Sequence, residues 1–501
     1  MRPGIQLLSP DLIGRILREA FELLMKPGVR VGSAPVVELL RSAGVEVGVA
    51  ANDGVARLPA PLVRQCLASA PRDFYLYNRQ GEKAVHYGGD DVHFDPGSCC
   101  VQMLDPETLE ARPSETRDLV RIVQVTETLP QFAAQSTAVV CNDAVVGSGK
   151  DAPSAIGDLY RLFVVLQHSD KPVVTGSFSA AGLEGMIDLL AADSGSREKL
   201  RREPRAVFDV CPSPPLNWSE FGSHNLLDLA RAGVPAEIVA MPLAGGTAPV
   251  TLAGSVTQHA AEVLAGIALH QLAGPGSPVV WGGAPAIFDM RTGGAPMGAV
   301  ETAMLNLACA EVGKHLGLPT HGYLVATDSK LVDAQAGAES ARSATLGALA
   351  GINMISGAGM LESLACFSVE KLVIDAEWIA SAQRLARGIE VRGEDVRGET
   401  LATAMFAQTG LSGEFLKLKE TRALFRQEQY LPSPVIDRSA RGSAPPSDVF
   451  TRARTRVDEL VSTYRKPSLP EDVLRKFQAI VDREAAREAD RAGVAADLPS
   501  N

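Results

Sequence analysis

The sequence predicts an α/β protein built on a (β/α)8 barrel of the TIM type, with a helical extension before it and a helical tail after it. Three observations carry that expectation. Apolar runs of strand length recur through the middle of the chain, helical segments lie between most of them, and glycine or small polar residues gather where the runs end. Continuous apolar strands alternating with helices imply a parallel sheet covered on both faces. A doubly wound sheet is the alternative, but no G-x-G-x-x-G follows an early strand with an acidic residue at the required distance.

Residues 1–114 read as the extension. Ser9-Pro10 is a start signal, and Asp11 to Leu24 carries apolar residues at helical spacing. Helices are also expected over Ala34 to Ala43 and Ala60 to Ala70. Phe74 to Pro96 alternates and contains Gly88-Gly89, which predicts short strands or a hairpin. Residues 115–388 read as the barrel core. Its strand runs are FAAQSTAVVC, KPVVTGSFS, AVFDVCPSP, AEIVAMPLAG, SPVVWGGAP, HGYLVATDS, GINMISGAG and KLVIDAEWI. Segments such as TQHAAEVLAGIALHQLAG and VETAMLNLACAEVGKHLG supply helices between them. Residues 389–501 are charged and helical with Pro-containing breaks, and are expected to pack on the barrel or on a neighbouring subunit of a homo-oligomer.

Composition narrows the function classes. With 46% hydrophobic and 21% charged residues in 501, the chain is globular. A net charge of −11 with no basic stripe argues against nucleic acid as a partner. No uncharged apolar segment has membrane-spanning length and no signal pattern opens the chain, so a soluble cytoplasmic protein without membrane contact is expected. Seven cysteines with no C-x-x-C point to reduced thiols.

Local motifs exclude several chemistries. The eight histidines show no H-x-x-x-H or H-E-x-x-H spacing, so no catalytic metal is expected. Gly245-Gly246-Thr247 and Gly282-Gly283 offer backbone N–H groups to an anion, but neither is followed by a Walker lysine. Gly147-Ser148-Gly149 is too short for a nucleophile elbow, and Gly176-Ser177 lacks the trailing glycine.

If the barrel reading holds, ligand groups belong at the C-terminal ends of the strands. The candidate ends are Gly176-Ser177-Phe178, Cys211 to Pro214, Pro242 to Thr247, Gly282 to Pro285, Thr327 to Lys330 and Ser356 to Gly359, nearly all small, polar or glycine-rich. Asp328, Ser329 and Lys330 stop the run that begins at Tyr323 and are expected to face the mouth. Asp333, Gln335 and Glu339 follow on a helix that they cap and orient, with Gln335 able to reach inward.

Read together, PLAGGTAPVTLAGSVTQHAAEVLAG (242–266), GGAPAIFDMRTGGAPMGAVETAMLNLA (282–308), LPTHGYLVATDSKLVDAQAGAE (318–339) and GINMISGAGMLES with SVEKLVIDAEW (351–378) resemble the trimethylamine methyltransferase superfamily of corrinoid-dependent methyltransferases. ARPSETRDL near residue 111 and VCPSPPL at 210 are also similar. The resemblance spans most of the chain and implies a TIM-type barrel. It also implies transfer of a methyl group from a methylated amine to the cobalt of a corrinoid (cobalamin) carried by a separate protein, with no cofactor held tightly by this chain. Trimethylamine-specific members carry pyrrolysine near the segment around Asp328 and Lys330. This chain has only ordinary residues there, which makes Asp328 and Lys330 the catalytic candidates. Relatives without pyrrolysine are implied to demethylate quaternary amines such as glycine betaine, proline betaine or carnitine. Attack on a quaternary ammonium expels a neutral tertiary amine, so the leaving group needs no proton; the enzyme's task is positioning.

A trimethylammonium head has no N–H and is recognised by aromatic faces and carboxylates. Phe94, Trp218, Phe221, Trp281, Phe288, Tyr323 and Phe367 fall near predicted strand ends or loops, and Asp95, Asp289 and Asp328 offer negative charge. A betaine carboxylate would be met by Arg291, Lys330, His321 or loop N–H groups. Asn217 and Gln335 complete the substrate set. Gly245, Gly246, Gly283, Ser356 and Gly357 are expected on the loops that face the corrinoid. One departure from the family pattern is Glu420-Thr421, where relatives commonly show His-Thr. Two alternatives stay open at this point: another methyl donor (tertiary amine, O- or S-methyl compound) on the same fold, and a non-catalytic betaine-binding or regulatory protein.

Overall fold

The computed structural model of the chain describes residues 2–50, 53–144, 156–177, 182–392, 401–443 and 445–492. Phe178 and Gly147-Ser148-Gly149 lie outside the described residues. Eight parallel strands organise the described part: β1 (His93–Pro96), β2 (Gln135–Ser136), β3 (Val173–Gly176), β4 (Ala206–Val210), β5 (Ala236–Ala240), β6 (Val279–Gly283), β7 (His321–Tyr323) and β8 (Met354–Ala358). Five pair in the order β6-β5-β4-β3-β2 and three in the order β7-β8-β1. Main-chain bonds reach across both gaps between the sheets: Trp281 N donates to Pro319 O and Ala133 N donates to Phe94 O, each at 2.9 Å.

Helices follow the strands in turn: α1 (Thr116–Thr128), α2 (Ile156–His168), α3 (Gly182–Ser194), α4 (Glu220–Ala232), α5 (Leu252–Ala273), α6 (Val300–His315), α7 (Ala334–Ala350) and α8 (Val369–Ala386). The cap chemistry is local and legible. Thr251, Asp333 and Ser368 each accept a backbone N–H from three residues on, opening α5, α7 and α8. The expected α/β alternation is therefore present.

One strand expectation is corrected. KLVIDAEWI lies inside α8, not in a sheet. The first half of α8, residues 369–377, is buried all round, so its apolar content runs round the cylinder and mimics a buried strand. Its charges mark the true period. Lys371 and Asp375, four apart, meet at 2.6 Å in the core, and Lys371 also donates to Val325 O at 3.0 Å. The sheets take β1 from residues before 115, in the segment read as the extension.

That segment otherwise follows its pattern. Helices span Pro10–Met25, Ala34–Ser42 and Ala60–Ser69, and Phe74–Tyr77 pairs antiparallel with Lys83–Tyr87. Leu76, Val85 and Tyr87 of this hairpin pack with Val174, Val207, Val280 and Met354, closing the N-terminal end of the parallel strands with an apolar floor. In the tail, helices Val449–Thr463 and Glu471–Ala492 lie on the outer helices, where Val457, Leu460, Phe477 and Val481 are buried.

Gly357 is fixed by sterics. It adopts φ +123°, and a Cβ there would stand 1.9 Å from Leu324 O. Gly357→Ala is expected to lower stability by about 3 kcal/mol or more, read as a shifted urea midpoint at unchanged slope.

Candidate active site

Side chains alternate along a strand, so the residue two beyond a floor residue shares its face. Two past Val207, Val280 and Met354 come Asp209, Gly282 and Ser356. Glu237 lies opposite Asp209 in register, and opposite Val280 on its other side. His321 and Tyr323 enter from β7 and Asp95 from β1. Strands β4, β5, β7, β8 and β1 thus deliver a polar cluster directly above an apolar floor, with β6 contributing Gly282.

The contacts within it are short and directional. Tyr323 Oη donates to Asp209 Oδ2 at 2.8 Å. Ser356 Oγ donates to Asp95 Oδ1 at 2.6 Å and lies 2.7 Å from His321 Nε2. The other ring nitrogen, Nδ1, abuts Glu237 Oε2, with Tyr87 Oη at 3.5 Å. The imidazole also stacks on Tyr323, ring centroids 5.2 Å apart and 3° from parallel. Neither Glu237 oxygen has an aligned hydrogen bond, and Asp95 Oδ2 and Asp209 Oδ1 have none. Donor atoms of Asp209, Glu237 and His321 lie within 4.8 Å of one another.

Electrostatics follow from burial. Among the described residues no Lys or Arg pairs with Asp95, Asp209 or Glu237, whose one charged-type partner is His321. Burial lifts the Glu237 carboxyl to about 8. Burial, then the neighbouring charge of Glu237, holds Asp209 well above the ordinary carboxylate range. Asp95 is raised by burial, with Asp209 and Glu237 adding repulsion against relief from Ser356. Burial also pushes the His321 imidazole down to about 4. Burial thus favours the uncharged form of each carboxyl and of the imidazole.

Two glycines make room for it. A Cβ on Gly282 would lie 2.1 Å from Glu237 Oε1, and one on Gly283 would lie 2.2 Å from His259 Nε2, which bonds Gly282 O at 3.0 Å.

The structure brings Asp95, His321 and Tyr323 together with Ser356, which sits on β8 in the cluster and not on a loop. The other residues singled out by sequence lie elsewhere. Phe94, Trp281 and Phe367 are core residues: Trp281 donates to Cys309 O and packs where a Cβ on Gly313 would fall, and Phe367 packs against Gly359. Asn217 pairs with Arg30 of the N-terminal segment. Phe288, Gly245 and Gly246 form one strand-end turn, where Phe288 N donates to Ala244 O. Arg291, 88% exposed in its side chain, closes a bidentate pair with Asp289. Gln335 is exposed and donates to Glu339.

Asp328 serves as a loop clamp. Its Oδ1 accepts from Met297 N and from Ser363 Oγ, each at 2.7 Å, while its own N–H goes to Glu339. Lys330 points to solvent, 78% exposed, 3.6 Å from Glu362. Asp333 caps α7, as expected. Lys330→Ala is therefore expected to change stability by no more than about 0.5 kcal/mol, checked by thermal melting. Glu420 lies on the tail helix Lys419–Glu428, with one buried carboxylate oxygen lacking an aligned partner.

Asp209, Glu237 and Tyr87 escaped the sequence reading. A signal existed for the first two: AVFDV and AEIVA each place one carboxylate inside an otherwise apolar strand, which burial tolerates only for a purpose.

An acidic, histidine-containing cluster on the inner faces of parallel strands, with helices outside, defines an α/β enzyme scaffold. The architecture matches a solved methyltransferase structure, monomethylamine methyltransferase (MtmB) of Methanosarcina barkeri, with a TM-score of 0.50 over 97% of this chain and 88% of that one at 10% identity. The chain belongs to the trimethylamine methyltransferase (MTTB) family, whose profile matches residues 1–489. It is 31% identical over 490 residues to trimethylamine methyltransferase MttB of Methanosarcina barkeri strain Fusaro, covering 96% of this chain and 95% of that protein. It is 29% identical over 482 residues to the glycine betaine methyltransferase of Desulfitobacterium hafniense strain Y51, covering 96% and 97%.

Proposed function

We propose that this chain moves a methyl group from a quaternary amine of the glycine betaine class to the Co(I) of a corrinoid held by a separate partner protein. The observation that carries the reading is the cluster itself. Asp95, Asp209 and Glu237 converge without a Lys or Arg partner among the described residues, between Tyr87 and Tyr323, in a member of a methylamine methyltransferase family. A site with unspent carboxyl groups and aromatic walls suits a ligand whose cation cannot donate a hydrogen bond. One relative named for glycine betaine adds support.

On this reading the eight strands close into a (β/α)8 barrel, with main-chain bonds across both gaps as its seams. Residues 1–114, 115–388 and 389–501 keep the roles of extension, core and tail, β1 being lent to the core. The chain works in the cytoplasm as a homo-oligomer. The corrinoid supplies the nucleophilic metal; this chain's residues hold the ammonium head, keep water from it and orient one N–CH3 bond towards the mouth. The strand-end rim fits an apolar, protein-borne group. Val250 and Met290 are 70% and 73% exposed and flank the Gly245 turn, where a Cβ would meet them at 3.5 and 3.8 Å.

The test is methylation of free cob(I)alamin, followed by its visible spectrum, with glycine betaine, proline betaine, carnitine and trimethylamine as donors. Turnover with one quaternary amine and not with trimethylamine is the expected result. Turnover with a tertiary amine alone would reassign the donor. Betaine binding without turnover, even with a partner corrinoid protein supplied, would make the chain a binding protein.

A further inference from the structure

The cluster poses a charge problem that the proposed function alone does not solve. Three carboxyl groups facing one another with no Lys or Arg partner among the described residues cannot all be ionised in a buried site. A quaternary ammonium brings a charge and no proton of its own, and it needs an anion beside it. Loading such a ligand into a neutral site therefore requires a proton to leave.

We propose that the cluster takes up a quaternary ammonium by exchanging one proton for it, and that the chain Glu237–His321–Ser356–Asp95 decides which carboxyl is left charged. This rests on the quaternary-amine reading above. The contacts run without a gap: Glu237 Oε2 abuts His321 Nδ1, and hydrogen bonds continue from His321 Nε2 to Ser356 Oγ at 2.7 Å and from Ser356 Oγ to Asp95 Oδ1 at 2.6 Å. When Asp95 holds the charge, Glu237 keeps its proton on the Nδ1 side, Nε2–H points at Ser356 and the serine hydroxyl at Asp95. To move the charge, Asp95 takes the serine proton, Ser356 takes the Nε2 proton and Nδ1 takes the Glu237 proton. Three O–H or N–H bonds break, three form, and Glu237 is left as the carboxylate.

The exchanged proton leaves by way of Asp209, a partly accessible residue opposite Glu237 in register: Asp209 gives up its proton and takes the one Glu237 releases, so Asp209 ends neutral and the charge enters the chain at Glu237. The other titratable groups facing the cluster are Tyr87 from the hairpin, Tyr323 from β7 and Cys211 after β4, all raised by burial and neutral near pH 7. None of them competes for the charge. His321, Ser356 and Asp95 are on this account positioning residues, and Glu237 and Asp209 are the groups that meet the ligand.

Calorimetric titration of the full chain with glycine betaine, in buffers of different ionisation enthalpy, tests the exchange. The expected result is about one proton released per betaine at pH 7, with affinity rising close to tenfold per pH unit up to about pH 8 and then levelling off. Glu237→Gln should bind betaine more weakly and release much less than one proton. Ser356→Ala should bind about tenfold more weakly with its pH profile displaced, and Ser356→Thr, which keeps an Oγ, should restore both. A purely structural serine would lower affinity without moving the profile. Betaine binding to the wild type with no proton released overturns the exchange and leaves the proposed function standing, as does undiminished release in Glu237→Gln. Failure of the folded wild type to bind any of the four donors overturns the proposed function itself.

Discussion

Glu237→Gln is expected to lower kcat/KM for a quaternary donor by about a hundredfold, or about 2.7 kcal/mol of transition-state stabilisation. The amide has nearly the shape of the acid, so packing on β5 survives, but it can never become an anion beside the ammonium head. Losing the charged partner of a desolvated cation costs several kcal/mol in protein interiors. Stability should move the opposite way, and that separates a site residue from a structural one. The Glu237 carboxyl is raised to about 8 in the folded protein, from an ordinary value of 4.5. Between those values the folded chain binds more protons than the unfolded one, so wild-type stability falls as pH rises. The slope from this group approaches about 1.4 kcal/mol per pH unit. Glu237→Gln has no such proton to lose. Its melting temperature should therefore exceed the wild type's by a margin that widens from pH 5 to pH 8. A constant margin would mean that Glu237 is not buried as a neutral acid.

Gly282→Ala should be nearly as damaging to activity with a milder effect on folding. The added Cβ would stand 2.1 Å from Glu237 Oε1, 2.4 Å from Cγ and 2.6 Å from Cδ, so the whole side chain has to turn away, not only its tip. His321 on one side and Asp209 on the other leave it little room. Overpacking of this kind costs about 1–3 kcal/mol of stability. Displacing a site carboxyl by an ångström or more costs roughly a hundredfold in rate. The measurement is kcat/KM together with the urea midpoint; full activity in a stable Gly282→Ala protein would remove Glu237 from the site.

These two positions also show where the sequence was informative. Gly282 stood out because two glycines ended an apolar run, but its partner could not be named. Register alone sets Glu237 across from Val280, two residues before Gly282, and register belongs to the sheet. Lys330 shows the reverse case. Its place after a buried run and its charge made it a site candidate, yet the backbone after Tyr323 turns outward. Val325 adopts φ +64°, its carbonyl held by Lys371 from α8. That contact joins residues 46 apart in the chain, which no local pattern reports. Phe94, Trp281 and Phe367 failed for a related reason. An aromatic on a strand looks the same in sequence whether it faces inward to a ligand or outward to a helix, and these are packed in the core.

By itself the sequence determined the alternation of buried strands and helices, the start of α5, α7 and α8 at their capping residues, and the family. Those depend on period, on side-chain oxygens three residues from an N–H, and on strings of residues read along one chain. The tertiary structure decided the rest. It took β1 from a four-residue segment too short to show a period, and turned KLVIDAEWI into part of a helix whose first half is buried all round. It also brought Asp95, Asp209, Glu237, His321 and Ser356 from five strands into one cluster. The reason is physical. The properties of that cluster come from groups far apart in sequence sharing one dry space, where burial and mutual repulsion set the charge, and no stretch of sequence contains that space.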